Sequence, residues 1–221
     1  MKFLPTTKEE MKNLGWDSID VLLISGDTYL DTSYNGSALV GKWLVEHGFK
    51  VGIIAQPEVD VPDDITRLGE PNLFFAVSGG CVDSMVANYT ATKKRRQQDD
   101  FTPGGVNNKR PDRAVLVYSN MIRRFFKGTT KKIVISGIES SLRRITHYDY
   151  WTNKLRKPIL FDAKADILSY GMGEMSMLQL ANALKNGEDW KNIKGLCYLS
   201  KEMKEDYLSL PSHSECLADK D

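Results

Sequence analysis

The sequence has few cysteines and no long apolar segment, and these shortages exclude several classes of protein. Its 221 residues include only three cysteines, Cys81, Cys197 and Cys216, which are far apart and odd in number. A disulfide scaffold and a compact Cys-x-x-Cys metal site are therefore excluded, and a cytoplasmic location is expected. No run is long enough to cross a membrane, and the start, MKFLPTTKEEMKNLG, has no apolar core like that of a signal peptide.

An excess of charge of one sign is also absent. The formal net charge is only +1, so no overall field directs the protein to nucleic acid or to a membrane. The one basic run, residues 93–96, is followed at once by Asp99 and Asp100, which cancel half of it. We therefore expect neither a membrane partner nor a nucleic-acid partner.

The sequence does contain short apolar runs that alternate with helical patterns, which is typical of an α/β fold. Strands are predicted at residues 19–25, 51–55, 73–77, 133–136 and 165–169, with a short strand at 159–162 and an edge strand at 196–200. Helices are predicted at residues 7–14, 36–47, 63–68, 83–89 and 111–127, and after Gly173. The pattern predicts a three-layer, open, mainly parallel sheet of about five strands, with helices on both faces.

Residues 93–113 interrupt this alternation. The segment is long, charged and rich in Gly and Asn, and it has no hydrophobic period. Loops of this length inside a compact domain are usually functional or disordered.

Polar or Gly-rich residues follow several of the predicted strands directly. The carboxyl ends of parallel strands meet at one edge of a sheet, so these residues are predicted to form one crevice there. The candidate ligand-binding or interdomain residues are Asp27, Tyr29, Gly79, Gly80, Glu139, Ser140, Arg143, Arg144, His147, Tyr148, Asp149, Tyr150, Gly171, Gly173 and Glu174. A carboxylate or phosphate of a ligand could meet the paired arginines and the aromatic rings. The alternative is a solvated ion-pair network beside aromatic rings that cap the core.

No catalytic pair is identified by spacing alone. His147 and Asp149 form too common a pairing to define a dyad, although a free-standing hydrolase that uses them with Arg143 stays as an alternative. Glu174, at a predicted helix start, is more often a residue that stabilises the helix dipole than a general base. We predict no catalytic residue and no metal site in this chain.

Six long segments carry a resemblance to a known family: LGWDSIDVLLISGDTYLD (residues 14–31), GFKVGIIAQP (48–57), GEPNLFFAVSGG (69–80), DSMVANYTA (83–91), KRPDRAVLVYSN (109–120) and GIESSLRRITHYDYW (137–151). They resemble the amino-terminal part of the YgiQ-type (UPF0313) radical S-adenosylmethionine proteins over nearly the whole chain. The wider pattern looks like the cobalamin-binding-type domain that precedes many radical SAM barrels. The resemblance therefore implies a cobalamin-binding-domain-like fold, which is flavodoxin-like or Rossmann-like.

The resemblance also implies cofactors that this chain does not hold. The family binds a 4Fe-4S cluster and S-adenosylmethionine at a Cys-x-x-x-Cys-x-x-Cys motif, which is absent from these 221 residues and is expected beyond Asp221. Residues 1–200 would then be an accessory domain, and residues 201–221 the start of the linker to the radical SAM barrel, its expected partner. We expect no cofactor on this fragment, and whether the fragment alone is an enzyme stays open.

Cobalamin is left open for a separate reason. The usual signature of a cobalamin domain after the first strand, Asp-x-His-x-x-Gly, is replaced here by Asp27-Thr28-Tyr29-Leu30-Asp31, which offers no His to cobalt. The alternatives to an accessory domain are a binding or docking module without chemistry, or a cobalamin-binding domain without the His ligand. The sequence does not indicate the substrate.

Overall fold

The helices and strands of the structure follow the predicted alternation closely. A computed structural model describes residues 3–31, 35–202 and 207–219. Its helices are α1 Lys8–Asn13, α2 Gly36–Glu46, α3 Pro62–Thr66, α4 Ser84–Asn88, α5 Ala114–Phe125, α6 Gly137–Leu142, α7 Ile159–Ala163, α8 Gly173–Asn186 and α9 His213–Ala218. Its strands are β1 Val21–Ser25, β2 Val51–Ala55, β3 Phe74–Ser78, β4 Lys132–Ser136, β5 His147–Asp149, β6 Lys154–Arg156, β7 Ile167–Ser169 and β8 Leu196–Tyr198.

The main sheet has the order β2-β1-β3-β4-β7-β8. All of its neighbouring strands pair in parallel except β8, which lies antiparallel to β7 at the edge. Without β8 this is the 2-1-3-4-5 order of flavodoxin-like folds, in which the strand order reverses between β1 and β3. The predicted open, mainly parallel sheet is confirmed, and so is the edge strand.

Two apolar cores lie on the two faces of the sheet and produce its three layers. Leu22 and Ile24 of β1 point into a core that α3, α5 and α7 cover, whereas Leu23 points into the core beneath α2 and α8. Every residue of β1 is buried. The uninterrupted apolar runs in the sequence follow from this, because both faces of a parallel strand are covered by helices.

Local signals fix some of the helix boundaries. The hydroxyl of Thr7 accepts a hydrogen bond from the Glu10 amide at 3.2 Å, and the Glu10 carboxylate accepts one from the Thr7 amide at 3.1 Å. This capping box confirms the predicted start of α1. None of the helices in the described part of the chain has the length and apolarity required to span a bilayer.

The strand predicted at residues 159–162 is wrong, because these residues belong to helix α7. Pro158 precedes the helix, and Ile159, Leu160 and Ala163 are buried together on one side of it. A four-residue apolar run fits the helical period and the strand period equally well, so the sequence alone did not distinguish a helix from a strand. Helix α6, the β5–β6 hairpin and α9 were not predicted, although Ser212 and Glu215 form a recognisable capping box at the start of α9.

The long loop at residues 93–113 is ordered by contacts with the sheet. Arg110 near its end is fully buried and donates hydrogen bonds to the carbonyl of Gly26 and to the carboxylates of Asp27 and Asp99. Gln56 donates to the same carbonyl at 3.0 Å. The loop is therefore held onto the turn that follows β1.

Replacing Arg110 should lower stability strongly. Arg110→Met leaves two carboxylates, on Asp27 and Asp99, buried without a counter-charge, so the free energy of unfolding should fall by about 3–5 kcal/mol. The matched control is Arg124→Met, which removes an exposed ion pair with Asp60 and should cost less than about 1 kcal/mol. Urea unfolding of both variants measures the difference, and equal losses would contradict the role assigned to Arg110.

Candidate functional site

A crevice opens at the carboxyl edge of the sheet, where the ends of β1, β3, β4 and β7 meet the starts of α2 and α8. Its volume is about 290 Å³. It is lined by Leu23, Ser25, Asp27, Asn35, Gly36, Ser37, Leu39, Val40, Ala76, Ser78, Gly80, Cys81, Ser136, Gly137, Ile138, Gly171, Met172, Gly173, Glu174 and Met177. This is the edge at which the sequence predicted a ligand site, beside the reversal of strand order.

Glycines keep the strand-end turns of this crevice open. Gly80 has a φ of 116°, and a Cβ added there would lie 2.2 Å from Oδ1 of Asp27. Gly137 has a φ of 81°, and its Cβ would lie 2.7 Å from the hydroxyl oxygen of Ser78. Both the backbone conformation and the side chains packed against these positions therefore require glycine at the two turns.

Two carboxylates, those of Asp27 and Glu174, are the charged groups along the crevice, whose lining contains no Lys, Arg or His in the described ranges. Asp27 is already engaged, since it accepts hydrogen bonds from Arg110 and from the amide of Cys81. Burial, and then the neighbouring Asp27, raise the pKa of the Cys81 thiol to about 11. The thiol is therefore protonated at neutral pH and is a poor nucleophile.

The structure divides the predicted site residues into those at the crevice and those elsewhere. Asp27, Gly80, Gly171, Gly173 and Glu174 line the crevice. Gly79 lies beside it, where a Cβ would stand 2.4 Å from the Glu139 carboxylate. The remaining candidates do not line the crevice.

Glu139 and Arg143 join helices rather than face the crevice. The buried Glu139 carboxylate accepts hydrogen bonds from the amide of Ser84 at 3.1 Å and from that of Val115 at 3.3 Å, so it connects the starts of α4 and α5. Burial raises the pKa of this carboxyl group. Arg143 forms an ion pair with Asp83, the N-cap residue of α4. Both residues therefore have structural partners.

The hairpin residues His147 and Asp149 are also engaged. Asp149 is buried and accepts hydrogen bonds from Arg113 at 2.8 Å and from the amide of Thr152 at 3.1 Å. The Nδ1 of His147 lies 3.1 Å from the carbonyl of Ile145, and burial lowers the pKa of the imidazole.

The space shared by Glu139, Arg143 and His147 is a cavity of only about 10 Å³. Such a cavity holds one water molecule at most. Because Arg143, His147 and Asp149 each bind a different partner, the structure offers no support for the hydrolase alternative.

Of three further candidates, Tyr29 and Arg144 contact other residues of the fold, and Ser140 is buried. The hydroxyl of Tyr29 accepts a hydrogen bond from the amide of Leu4 at 3.0 Å. The Arg144 guanidinium lies 5.1 Å from the ring of Tyr170. Ser140 is fully buried, and its hydroxyl has no partner among the residues that the structure describes.

The two exposed tyrosines of the hairpin region lie on different surfaces. Tyr148 donates to Asn153 at 2.7 Å and lines a second groove, of about 950 Å³, with residues of the segment 207–219. Tyr150 donates to the carbonyl of Ala91 at 2.6 Å, next to the basic run. Their proximity in the sequence therefore did not place them in one site.

The sequence reasoning missed the contribution of α2 to the crevice. Asn35 caps this helix by accepting a hydrogen bond from the amide of Ala38 at 3.1 Å, and Gly36 and Ser37 line the crevice behind it. Asn-Gly-Ser before an apolar helical pattern is a recognisable N-cap signal. It could have placed the start of α2 at the edge where β1 ends.

The described residues contain no cluster of three or more His, Cys, Asp and Glu side chains arranged to hold a metal ion. Cys81 lies at the crevice, Cys197 in β8 and Cys216 in α9. This dispersed donor set does not fit a 4Fe-4S cluster, which cysteine thiolates hold together.

The ion pair of Asp149 predicts a pH-dependent contribution to stability. Burial alone raises the pKa of this carboxyl group, but hydrogen bonds from Arg113 and Thr152 outweigh burial and lower the pKa from 3.8 to about 2. The stabilisation is complete above the unfolded-state pKa and is lost as the pH falls from about 4 to about 2.

Asp149→Asn should therefore reduce the free energy of unfolding by about 2 kcal/mol at pH 7, and the deficit should shrink below about pH 4. Urea unfolding across this pH range measures it. Asp100→Asn, at an exposed carboxylate, is the control. A deficit that is constant with pH would contradict the assignment.

Comparison with known sequences gives a consistent assignment. The family model described as Radical SAM N-terminal matches residues 3–221. A UPF0313 protein of Fusobacterium nucleatum is 99% identical over 100% of this chain, and one of Thermotoga neapolitana is 54% identical over 96%. The chain spans 39% and 38% of the length of these relatives.

Comparison with solved structures supports the same fold. The radical S-adenosylmethionine methyltransferase TsrM of Kitasatospora setae, solved with tryptophan substrate and a SAM analogue, superposes with a TM-score of 0.54 over 82% of this chain and 28% of its own. A second structure of TsrM, with cobalamin and a [4Fe-4S] cluster bound, gives the same score over 83% of this chain and 28% of its own. The sequence identity is 17% in both cases, so the likeness concerns the fold alone. On the family match and the identity to its relatives, the chain belongs to the radical SAM N-terminal family and to the UPF0313 proteins.

Proposed function

We propose that this chain is the accessory domain of a radical SAM iron–sulfur enzyme, and that its crevice is where a ligand and the rest of the full-length protein meet. The observation that carries the proposal is the crevice itself, which lies at the carboxyl edge of the sheet. Open α/β sheets bind their ligands at that edge. The cysteines of this chain do not fit a cluster, so the 4Fe-4S cluster and S-adenosylmethionine would be held by the remainder of the protein.

The rim of the crevice has the character of a surface that another domain covers. Ile138 and Met172 line the crevice and are exposed by 47% and 85%, and Leu142 of α6 and Met175 of α8, on the two helices that begin at the crevice, are exposed by 64% and 56%. Exposed apolar residues that cluster around a cavity mark interaction sites more often than scattered ones do. The radical SAM barrel of the same polypeptide is the proposed occupant, with residues 1–200 as the accessory domain and 201–221 as the start of the linker to it.

Hydrogen–deuterium exchange tests the docking of the barrel. In the full-length UPF0313 protein of Fusobacterium nucleatum, the amides of residues 137–142 and 171–175 should exchange roughly tenfold more slowly than in the 221-residue chain, because a covered segment opens less often. Met172→Asp should remove this protection, since it buries a charge at the contact.

The matched control is Phe161→Asp on α7, at a side chain that is 50% exposed and lies outside the crevice. It should leave the protection in place. Equal exchange rates in the two forms of the protein would show that the edge is not covered, and the docking proposal would then fail.

Cobalamin binding without a His ligand is the second candidate. TsrM, whose fold this chain shares, has been solved with cobalamin bound. The crevice offers an apolar floor from Leu23, Ala76 and Met177, beside turns that contain glycine. His47, His147 and His213 do not line it, so cobalt would receive no imidazole from it. Bound cobalamin would supply a cobalt centre, and the residues of this chain would only bind and orient it.

A titration with hydroxocobalamin, followed by its visible absorption, tests this candidate in the 221-residue chain. Gly36→Trp should abolish the spectral change, because it fills the mouth of the crevice from a position where an added Cβ meets no atom within 4 Å. Lys12→Trp, on α1, is the control for an added surface ring. If Gly36→Trp binds as well as the parent chain, cobalamin does not occupy this crevice.

A further inference from the structure

The basic run at residues 93–96 carries more unneutralised charge in the fold than it does in the sequence. Asp99 was expected to cancel part of it, but Asp99 is only 5% exposed and binds the Arg110 guanidinium at 2.9 Å. In the described part of the chain, Arg95 is the one cation of the run that pairs with a carboxylate, that of Asp112 at 3.6 Å. Lys93, Lys94 and Arg96 have no carboxylate partner in that part of the chain, so their charges are not neutralised. Lys93 donates to the carbonyl of Trp151 at 3.3 Å, and the Nε of Arg96 donates to the carbonyls of Val86 and Tyr89 at 3.2 and 3.1 Å.

The backbone of this run is fixed rather than loose. Tyr89 and Arg95 form an antiparallel bridge, and the amide of Thr90 donates to the carbonyl of Lys94 at 2.8 Å. Lys93 stands at the turn with a φ of 61°, a left-handed conformation that non-glycine residues seldom adopt. The cations therefore project from an ordered turn, so little backbone conformational entropy is lost when they bind.

Aromatic rings are interleaved with these cations. The rings of Tyr89 and Trp151 lie 5.3 Å apart, and those of Tyr150 and Trp151 lie 5.5 Å apart. The ammonium of Lys93 lies 4.7 Å from the centre of the Tyr150 ring, which is 48% exposed. The Arg95 guanidinium lies 5.7 Å from the Tyr89 ring. Residues 93–96 with Tyr89, Tyr150 and Trp151 form what we term the basic–aromatic patch.

We propose that the basic–aromatic patch binds single-stranded nucleic acid, with phosphates at the cations and a base stacked on Tyr150. Proteins that bind single strands without sequence preference place cations along the phosphate backbone and stack the bases on aromatic rings. An acidic peptide would use the cations but has no planar group for the rings, and a duplex keeps its bases stacked away from them. The proposal is independent of the crevice and of its ligand.

Fluorescence anisotropy with the 221-residue chain tests the proposal. The probes are a labelled 12-nucleotide RNA, the same sequence as DNA, an abasic DNA of equal charge, and a polyglutamate peptide. We expect saturable binding of RNA or DNA that weakens with salt. The double variant Lys93→Gln with Lys94→Gln removes two phosphate contacts. The plot of log association constant against log salt concentration should therefore become less steep by about 1.4, since each contact on a single strand contributes about 0.7.

Tyr150 separates stacking from charge. Tyr150→Leu should weaken the binding of RNA or DNA roughly tenfold while leaving the abasic DNA unaffected, because an aliphatic side chain gives a base no stacking surface. Tyr150→Phe, which keeps the ring, should retain most of the affinity. The charge control is Lys8→Gln with Lys12→Gln, at two exposed lysines of α1. Circular dichroism confirms that each variant is folded.

Three results would overturn the proposal. The first is the absence of saturable binding to RNA and DNA. The second is an equal loss of affinity in the charge control, which would make the binding nonspecific. The third is binding of abasic DNA as tightly as of RNA with no effect of Tyr150→Leu, which would exclude base stacking, or equally tight binding of polyglutamate, which would assign the patch to an acidic protein segment.

Discussion

The buried guanidinium of Arg110 is the interaction on which the carboxyl edge of the sheet depends. It donates to the carbonyl of Gly26 and to the carboxylates of Asp27 and Asp99, and it is fully buried. Two negative charges in this position would be costly without it, because their desolvation would not be compensated. The same contacts hold the long loop at residues 93–113 against the turn after β1. They fix Asp27 at the crevice and turn Asp99 away from the basic run, so both proposed sites rely on them.

The paired charges of residues 137–151 illustrate why a cluster in sequence is not a cluster in space. Arg143, His147 and Asp149 lie within seven positions, yet each binds a different partner of the fold. The chain turns through α6 and then a hairpin, so successive side chains point to different neighbours. Most of the predicted site residues in this stretch stabilise the edge, while the crevice is built from the strand ends and from the starts of α2 and α8. Their role in ligand binding or docking stays a prediction.

The crevice and the basic–aromatic patch suggest two separate roles for one domain. The crevice has an apolar floor, glycine turns and no cationic side chain in its described lining, which suits a ligand or domain that is not bound mainly through negative charge. The patch has the opposite chemistry, with exposed cations and rings. If both proposals hold, the crevice faces the rest of the full-length polypeptide and the patch faces a separate partner.

The sequence by itself determined the α/β class, the parallel sheet, the edge strand and the family, because apolar periods and long matching segments are local properties of the chain. It also predicted the edge at which the crevice lies, since strand ends in a parallel sheet meet by necessity. Only the tertiary structure decided which polar residues reach that edge. Pairs such as Arg110 with Asp27 and Arg143 with Asp83 join residues 83 and 60 positions apart, and no local period encodes them. For the same reason, the sequence suggested that Asp99 neutralises part of the basic run, but in the fold it does not. Charges are neutralised by neighbours in space, and the buried Asp99 pairs with Arg110 instead.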